Sequence, residues 1–133
     1  MVLTFKYKRV KRPNNTELKS PSIPLTIWGT GQRFEFVALL DSGADVSVIP
    51  KDVAELLGLN LSGKQEEARG IGGKVPAVQT TINIELGRPH EKYNFNIPVK
   101  VILKDGEEEI PILLGRTGFF DKFIITFNQK DEK

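Results

Sequence analysis

No stretch of this chain longer than about a dozen residues is free of Gly, Pro, Asn and Asp, whereas an isolated helix needs roughly 12–15 residues to be even marginally stable. Such punctuation leaves room for short strands and turns and for little helix. Between the breaks lie runs rich in Val, Ile, Thr and Phe, side chains that pack well on a pleated, half-buried surface. Leu3, Phe5 and Tyr7 alternate with Thr4, Lys6 and Lys8, which predicts a first strand. Residues 13–24, with Pro13, Pro21 and Pro24 among polar neighbours, read as a loop. Residues 25–28 and 33–40 predict two strands joined by Gly29-Thr30-Gly31-Gln32, and residues 46–49 a short strand. Pro50 then precedes an amphipathic segment over 51–57 that ends at Gly58, the pattern of a short helix. Further strands are expected over 75–86, 93–103 and 110–114, with a helical turn over 118–123, a last strand over 124–127 and a frayed polar tail over 128–133. Seven to nine strands and one or two short helices imply an all-β barrel or sandwich.

Composition narrows the chemistry. At 133 residues and 39% hydrophobic content, the chain suits one globular domain with a true core. It contains no cysteine, so disulfides, thiolate metal sites and a cysteine nucleophile are excluded. His90 is the single histidine, and its place beside Pro89 in a turn reads as an exposed loop position, so metal sites built on histidine are not expected. No apolar run approaches the ~18 residues of a membrane span, and the first residues form no apolar signal segment, so no membrane association and a cytoplasmic location are expected. The net charge of +2 is unevenly spread, with six Lys or Arg against one acid in residues 1–20. This basic N-terminal strand or extension has few aromatics to stack on bases, which argues for a solvated edge and against a nucleic-acid partner. Residues 58–64 match the first positions of a phosphate-binding loop, but Gln65 stands where a Ser or Thr would hold magnesium.

One segment does not read as surface or core. The apolar run Phe36-Val37-Ala38-Leu39-Leu40 passes directly into Asp41-Ser42-Gly43-Ala44-Asp45 and then into Val46-Ser47-Val48-Ile49. A carboxylate at the end of a core strand costs several kcal/mol unless it is hydrogen-bonded or paired. Pattern alone leaves two readings, an Asx-turn that closes the strand or a carboxylate placed for chemistry.

The segment Leu39-Leu40-Asp41-Ser42-Gly43-Ala44-Asp45 resembles the active-site segment of retropepsin-type aspartic proteases. Gly70-Ile71-Gly72-Gly73 resembles the tip of that family's flap, and Ile112-Leu113-Leu114-Gly115-Arg116 resembles the segment before its C-terminal helix. The likeness covers residues 21–127, leaving 1–20 as an extension and 128–133 as a polar tail. The helix over 51–57 and the chain after it lengthen the path from Asp41 to the flap, a style closer to stand-alone cellular and prokaryotic members than to compact retroviral ones. The terminal strands that interleave in retroviral dimers have no residue-by-residue match here.

The resemblance implies a closed β-barrel acid-protease fold, one half of a two-fold symmetric homodimer. It also implies hydrolysis of a peptide or unfolded protein by two carboxylates and a water, without metal or cofactor. The chain holds a single Asp-Ser-Gly, so a catalytic pair takes Asp41 from each of two chains. The family's roles fall on Asp41, Ser42 and Gly43 for catalysis. Substrate binding falls on Ala44, Asp45, Val46, Val48, Gly70, Ile71, Gly72, Pro111 and Leu113. Ala44 stands where pepsin-like relatives carry a hydroxyl, and the lost donor predicts activity nearer neutral pH. Asp45 and Arg116 match the family's structural ion pair. A catalytically silent dimerisation or peptide-binding module on the same fold is the alternative, since fold does not dictate activity.

Overall fold

The computed structural model describes residues 3–11, 17–70, 73–103 and 111–133. Its strands are β1 (Lys8–Lys11), β2 (Glu17–Ser20), β3 (Ser22–Trp28), β4 (Phe34–Leu40), β5 (Ser47–Pro50), β6 (Gln65–Gly70), β7 (Gly73–Arg88), β8 (Glu91–Ile102) and β9 (Ile112–Leu114). One helix, α1 (Lys51–Leu56), and a 3₁₀ turn over Phe120–Lys122 complete the described elements. The main sheet runs β3-β4-β9-β5-β8-β7-β6, and β3 also pairs with β7. That extra pairing joins the ends of six strands into a closed barrel, with β6 hanging from β7 outside the ring. Closure removes the open edges that a six-stranded sheet would expose.

The barrel closes where Thr26, Ile27 and Trp28 of β3 meet Glu85, Ile84 and Asn83 of β7. Asn83 reinforces the seam, its side-chain amide donating to the Gly29 carbonyl at 3.1 Å. Inside stand Ile27, Ile49, Ile82, Ile84 and Ile97, all at 1% exposure or less, with Val99, Val101 and Leu114. Each aliphatic side chain so buried contributes about 1.5–3 kcal/mol through transfer from water. The alternation along β3 and along the second half of β8 delivers these residues to one face.

α1 forms where local signals agree. Pro50, at φ −75°, occupies its N-cap. At the other end Gly58 takes φ +68°, its N–H donates to the Glu55 carbonyl and Leu59 N–H to the Ala54 carbonyl. This is the paired closure that a left-handed glycine permits.

Four expectations need correction. The segment 3–7 alternates in burial, with Tyr7 inward and Thr4 and Lys6 outward, yet it forms no ladder, and the first strand begins at Lys8. Of the loop expected over 13–24, residues 13–16 lie outside the described residues and the rest holds β2 and the start of β3, because Glu17–Ser20 pairs antiparallel with Lys8–Lys11 in a separate two-stranded sheet. Residues 124–127 form no strand: Ile124 is 100% exposed and Phe127 40%, and no described strand of the same chain offers them hydrogen bonds. The tail does not fray. Asn128 and Lys133 exchange backbone hydrogen bonds at 2.9 and 3.0 Å, and Tyr7 N–H donates to the Glu132 carbonyl at 2.7 Å. No described helix is long and apolar enough to cross a membrane.

Candidate active site

β4 delivers Asp41. The strand pairs with β3 on one side and runs parallel to β9 on the other, with Ala38, Leu39 and Leu40 opposite Ile112, Leu113 and Leu114. At its end the chain turns. Asp41 N–H donates to the Leu114 carbonyl at 3.0 Å, and Ala44 N–H donates back to the Asp41 carbonyl at 3.2 Å. Within the turn, Gly43 N–H donates to Asp41 Oδ1 at 2.9 Å. A Cβ on Gly43 would stand 3.2 Å from that same oxygen, so glycine allows the carboxylate and its donor to come together. Asp41 is half-buried while Ser42 and Gly43 are exposed. The carboxylate thus has a fixed orientation and an open face.

The segment after β9 clasps this turn. Arg116 N–H donates to the Ala44 carbonyl at 2.9 Å and Thr117 N–H to the Asp45 carbonyl at 2.8 Å. Val46 and Thr117 form a parallel bridge, and Gly115 N–H donates to the buried hydroxyl of Ser47 at 3.0 Å. Gly115 is glycine for lack of space. A Cβ there would lie 2.7 Å from the Val46 carbonyl carbon and 2.9 Å from the Ala44 oxygen. Ser47 and this close approach were not singled out from the sequence. The available signal was a lone hydroxyl in the apolar run of residues 46–49, since a buried polar group needs a partner.

Asp45 and Arg116, 71 positions apart, meet through a hydrogen-bonded contact from Arg116 Nη2 to Asp45 Oδ1. Both side chains are exposed, Arg116 at 56% and Asp45 at 82%. Exposed pairs contribute about 0–1 kcal/mol. Arg116→Ala is therefore expected to lower unfolding stability by less than about 1 kcal/mol in a denaturant titration, because the backbone donor of residue 116 to Ala44 survives the substitution. A loss of several kcal/mol would mean that the pair is buried by something this chain alone does not supply.

Ala44, Val46, Val48 and Leu113 are half-buried along this floor, and Val48 faces Leu113 across β5 and β9. Pro111 is exposed just before β9. Gly70 ends β6 opposite Gly73 of β7, the last pair of an antiparallel hairpin that starts at Gln65 and Val78. Ile71 and Gly72 lie outside the described residues. Among the described residues, no group of three or more His, Cys, Asp or Glu is arranged to hold a metal.

Comparison with known proteins places this geometry. A family model described as aspartyl protease matches residues 23–117, a span that includes the Asp41 turn, the β6–β7 hairpin and the clasp after β9. Among solved structures, the chain is similar to a retropepsin-like aspartic protease from Rickettsia conorii, with 20% identity, a TM-score of 0.55 and coverage of 96% of this chain and 97% of that one. A second similar structure is EIAV protease complexed with the inhibitor HBY-793, at 24% identity and a TM-score of 0.48, covering 74% of this chain and 83% of that one. No curated protein matches this sequence.

Proposed function

The chain belongs to the aspartyl protease family, and on that premise we propose that it is a retropepsin-like aspartic endopeptidase whose catalytic pair is completed by a second copy of itself. The observation that carries this reading is the Asp41 carboxylate, oriented by Gly43 N–H on a loop clasped from behind, in a chain with one Asp-Ser-Gly. Across a two-fold axis the partner supplies the same group. Two carboxyls held about 3 Å apart cannot both ionise, so they share one proton. The ionised member takes a proton from water as the water oxygen attacks the peptide carbonyl carbon. The protonated member donates to the carbonyl oxygen, and the proton is returned to the nitrogen as the C–N bond breaks.

The remaining site residues take roles around that pair. Ser42 links the two active-site loops across the axis, and Gly43 lets substrate backbone approach. Ala44, Val46, Val48, Pro111 and Leu113 line pockets whose apolar character selects hydrophobic side chains beside the cleaved bond. Asp45, oriented by Arg116, also reaches substrate backbone. The β6–β7 hairpin acts as a flap, with Gly70, Ile71 and Gly72 at its tip covering the peptide and excluding water. Catalysis belongs to residues 21–127, with 1–20 as a basic extension and 128–133 as a tail. A cysteine-free chain suits a reducing cytoplasm.

Support for self-association comes from residues 124–127, which pair with no described strand and line a groove of about 1330 Å³ together with Leu3, Phe5 and Phe123. Apolar side chains and unpaired backbone groups together form a template for another chain. The active dimer is expected to bury on the order of 2,000 Å² or more. Cleavage of a peptide library, read by mass spectrometry across a dilution series, tests the proposal. Specific activity per chain should fall as concentration drops below the dimer dissociation constant, and a statine-type mimic of the tetrahedral intermediate should inhibit. Full activity in a species that sediments as a 14.9 kDa monomer would overturn the shared-site reading. Absence of cleavage with retained peptide binding would identify a silent module instead.

A further inference from the structure

We propose that Ser47 is a positioning residue for Asp41, acting through the Gly115 amide; the inference rests on the catalytic assignment of Asp41. Ser47 opens β5 and is 0% exposed, one of only two buried polar or charged residues among those described. Its Oγ accepts from Gly115 N–H across 68 positions of sequence. That bond is the buried side-chain link in a series made otherwise by backbone, whereas the Arg116–Asp45 side-chain contact beside it is exposed. Residues 114–117 contact the active-site loop at every position: Leu114 accepts from Asp41 N–H, Gly115 donates to Ser47, Arg116 donates to Ala44 and Thr117 to Asp45.

The geometry explains why a side chain is used at this point. Gly115 comes so near Val46 and Ala44 that a Cβ would lie within 3 Å of their backbone atoms. At such proximity the residue 115 amide is shut away from water, and a buried N–H without an acceptor is costly. Among the described residues no backbone acceptor serves it, whereas the Ser47 hydroxyl does. Removing the oxygen leaves the amide two options. It stays buried and unsatisfied, or the segment shifts outward to reach water. The second option pulls on its immediate neighbours in the chain, the Leu114 carbonyl that holds Asp41 N–H and the Arg116 amide that holds Ala44. An error of an ångström at a catalytic group is enough to lower turnover about a hundredfold, so the effect should fall on kcat more than on KM.

A pair of variants isolates the hydroxyl. Ser47→Thr and Ser47→Val have nearly the same size and β preference and differ in the oxygen, while Ser47→Ala removes atoms and adds none. Hydrogen exchange followed by NMR should show protection of the Asp41, Gly115, Arg116 and Thr117 amides at least about tenfold lower in Ser47→Val and Ser47→Ala than in Ser47→Thr. Amides of Ile82 and Ile97 in the barrel wall should be unchanged. In the two oxygen-free variants kcat should fall roughly ten- to a hundredfold with little change in KM, and Ser47→Thr should restore it. Loss of protection confined to Gly115, with equal kcat in Ser47→Val and Ser47→Thr, overturns the proposal. Folding of the Thr variant alone also overturns it, since the hydroxyl would then serve the whole barrel and not the loop. Asp41→Asn is measured in parallel. Cleavage that survives Asp41→Asn sinks the catalytic assignment, while the exchange data still decide whether Ser47 holds the loop.

Discussion

Asp41→Asn is expected to lower kcat/KM by about four orders of magnitude or more while leaving the melting temperature nearly unchanged. A positioned acid or base contributes about 10²–10⁴-fold each. In a symmetric pair one substitution removes both, so the losses compound. The fold should survive because an asparagine carbonyl keeps the acceptor that Gly43 N–H uses at Asp41 Oδ1, and the Asp41 backbone bond to Leu114 is unaffected. Single-turnover cleavage of a peptide found in the library provides the measurement. The same variant probes the shared site: a tenfold excess of it, equilibrated with wild type, should reduce wild-type activity to about one-tenth, since most wild-type chains then sit opposite a partner without a carboxylate. Undiminished cleavage by a clean Asp41→Asn preparation would end the aspartic-protease assignment. Undiminished wild-type activity in the mixture would end only the shared site.

Asp41 was legible in the sequence because its cost was legible. An apolar strand running into a carboxylate demands a local partner, and the Gly43 amide supplies it. The β3–β4 hairpin and α1 were legible for a similar reason, since Gly29-Thr30-Gly31-Gln32, Pro50 and Gly58 act on their own neighbours. What stayed hidden depends on distant partners. Residues 3–7 alternate as a strand does, but alternation records which side chains turn inward and says nothing of whether a ladder forms beside them. Residues 124–127 are as β-prone as β9, yet β9 finds β4 and β5 and they find no strand partner among the described residues of their own chain. β6 was hidden for the opposite reason. Gln65-Glu66-Glu67-Ala68-Arg69-Gly70 has no apolar period because the strand hangs outside the barrel and is held by its register with β7.

Gly115→Ala should be a strongly damaging small change beside the active-site loop. The added Cβ would meet the Val46 carbonyl carbon at 2.7 Å, the Val46 oxygen at 2.8 Å and the Ala44 oxygen at 2.9 Å. All three are backbone atoms, so no flexible side chain can swing aside. Overpacking of this kind costs about 1–3 kcal/mol. Moving the strands apart also weakens the Arg116–Ala44, Thr117–Asp45 and Gly115–Ser47 hydrogen bonds, at about 1 kcal/mol each. A total of roughly 3 kcal/mol or more is expected, a fall in melting temperature on the order of 10 °C for a domain of this size. Gly31→Ala is the control, because a Cβ there meets nothing within 4 Å; it should be neutral or slightly stabilising, by up to about 1 kcal/mol. Activity separates two ways in which the strain can be released. If residues 114–117 yield, Asp41 loses its backbone anchor at Leu114 and turnover falls well before the protein melts. If the Ala44–Val46 side yields, the floor between Val46, Val48 and Leu113 deforms and KM rises first. A Gly115→Ala protein with wild-type stability and wild-type turnover would show that the clasp tolerates a separation that its backbone distances forbid.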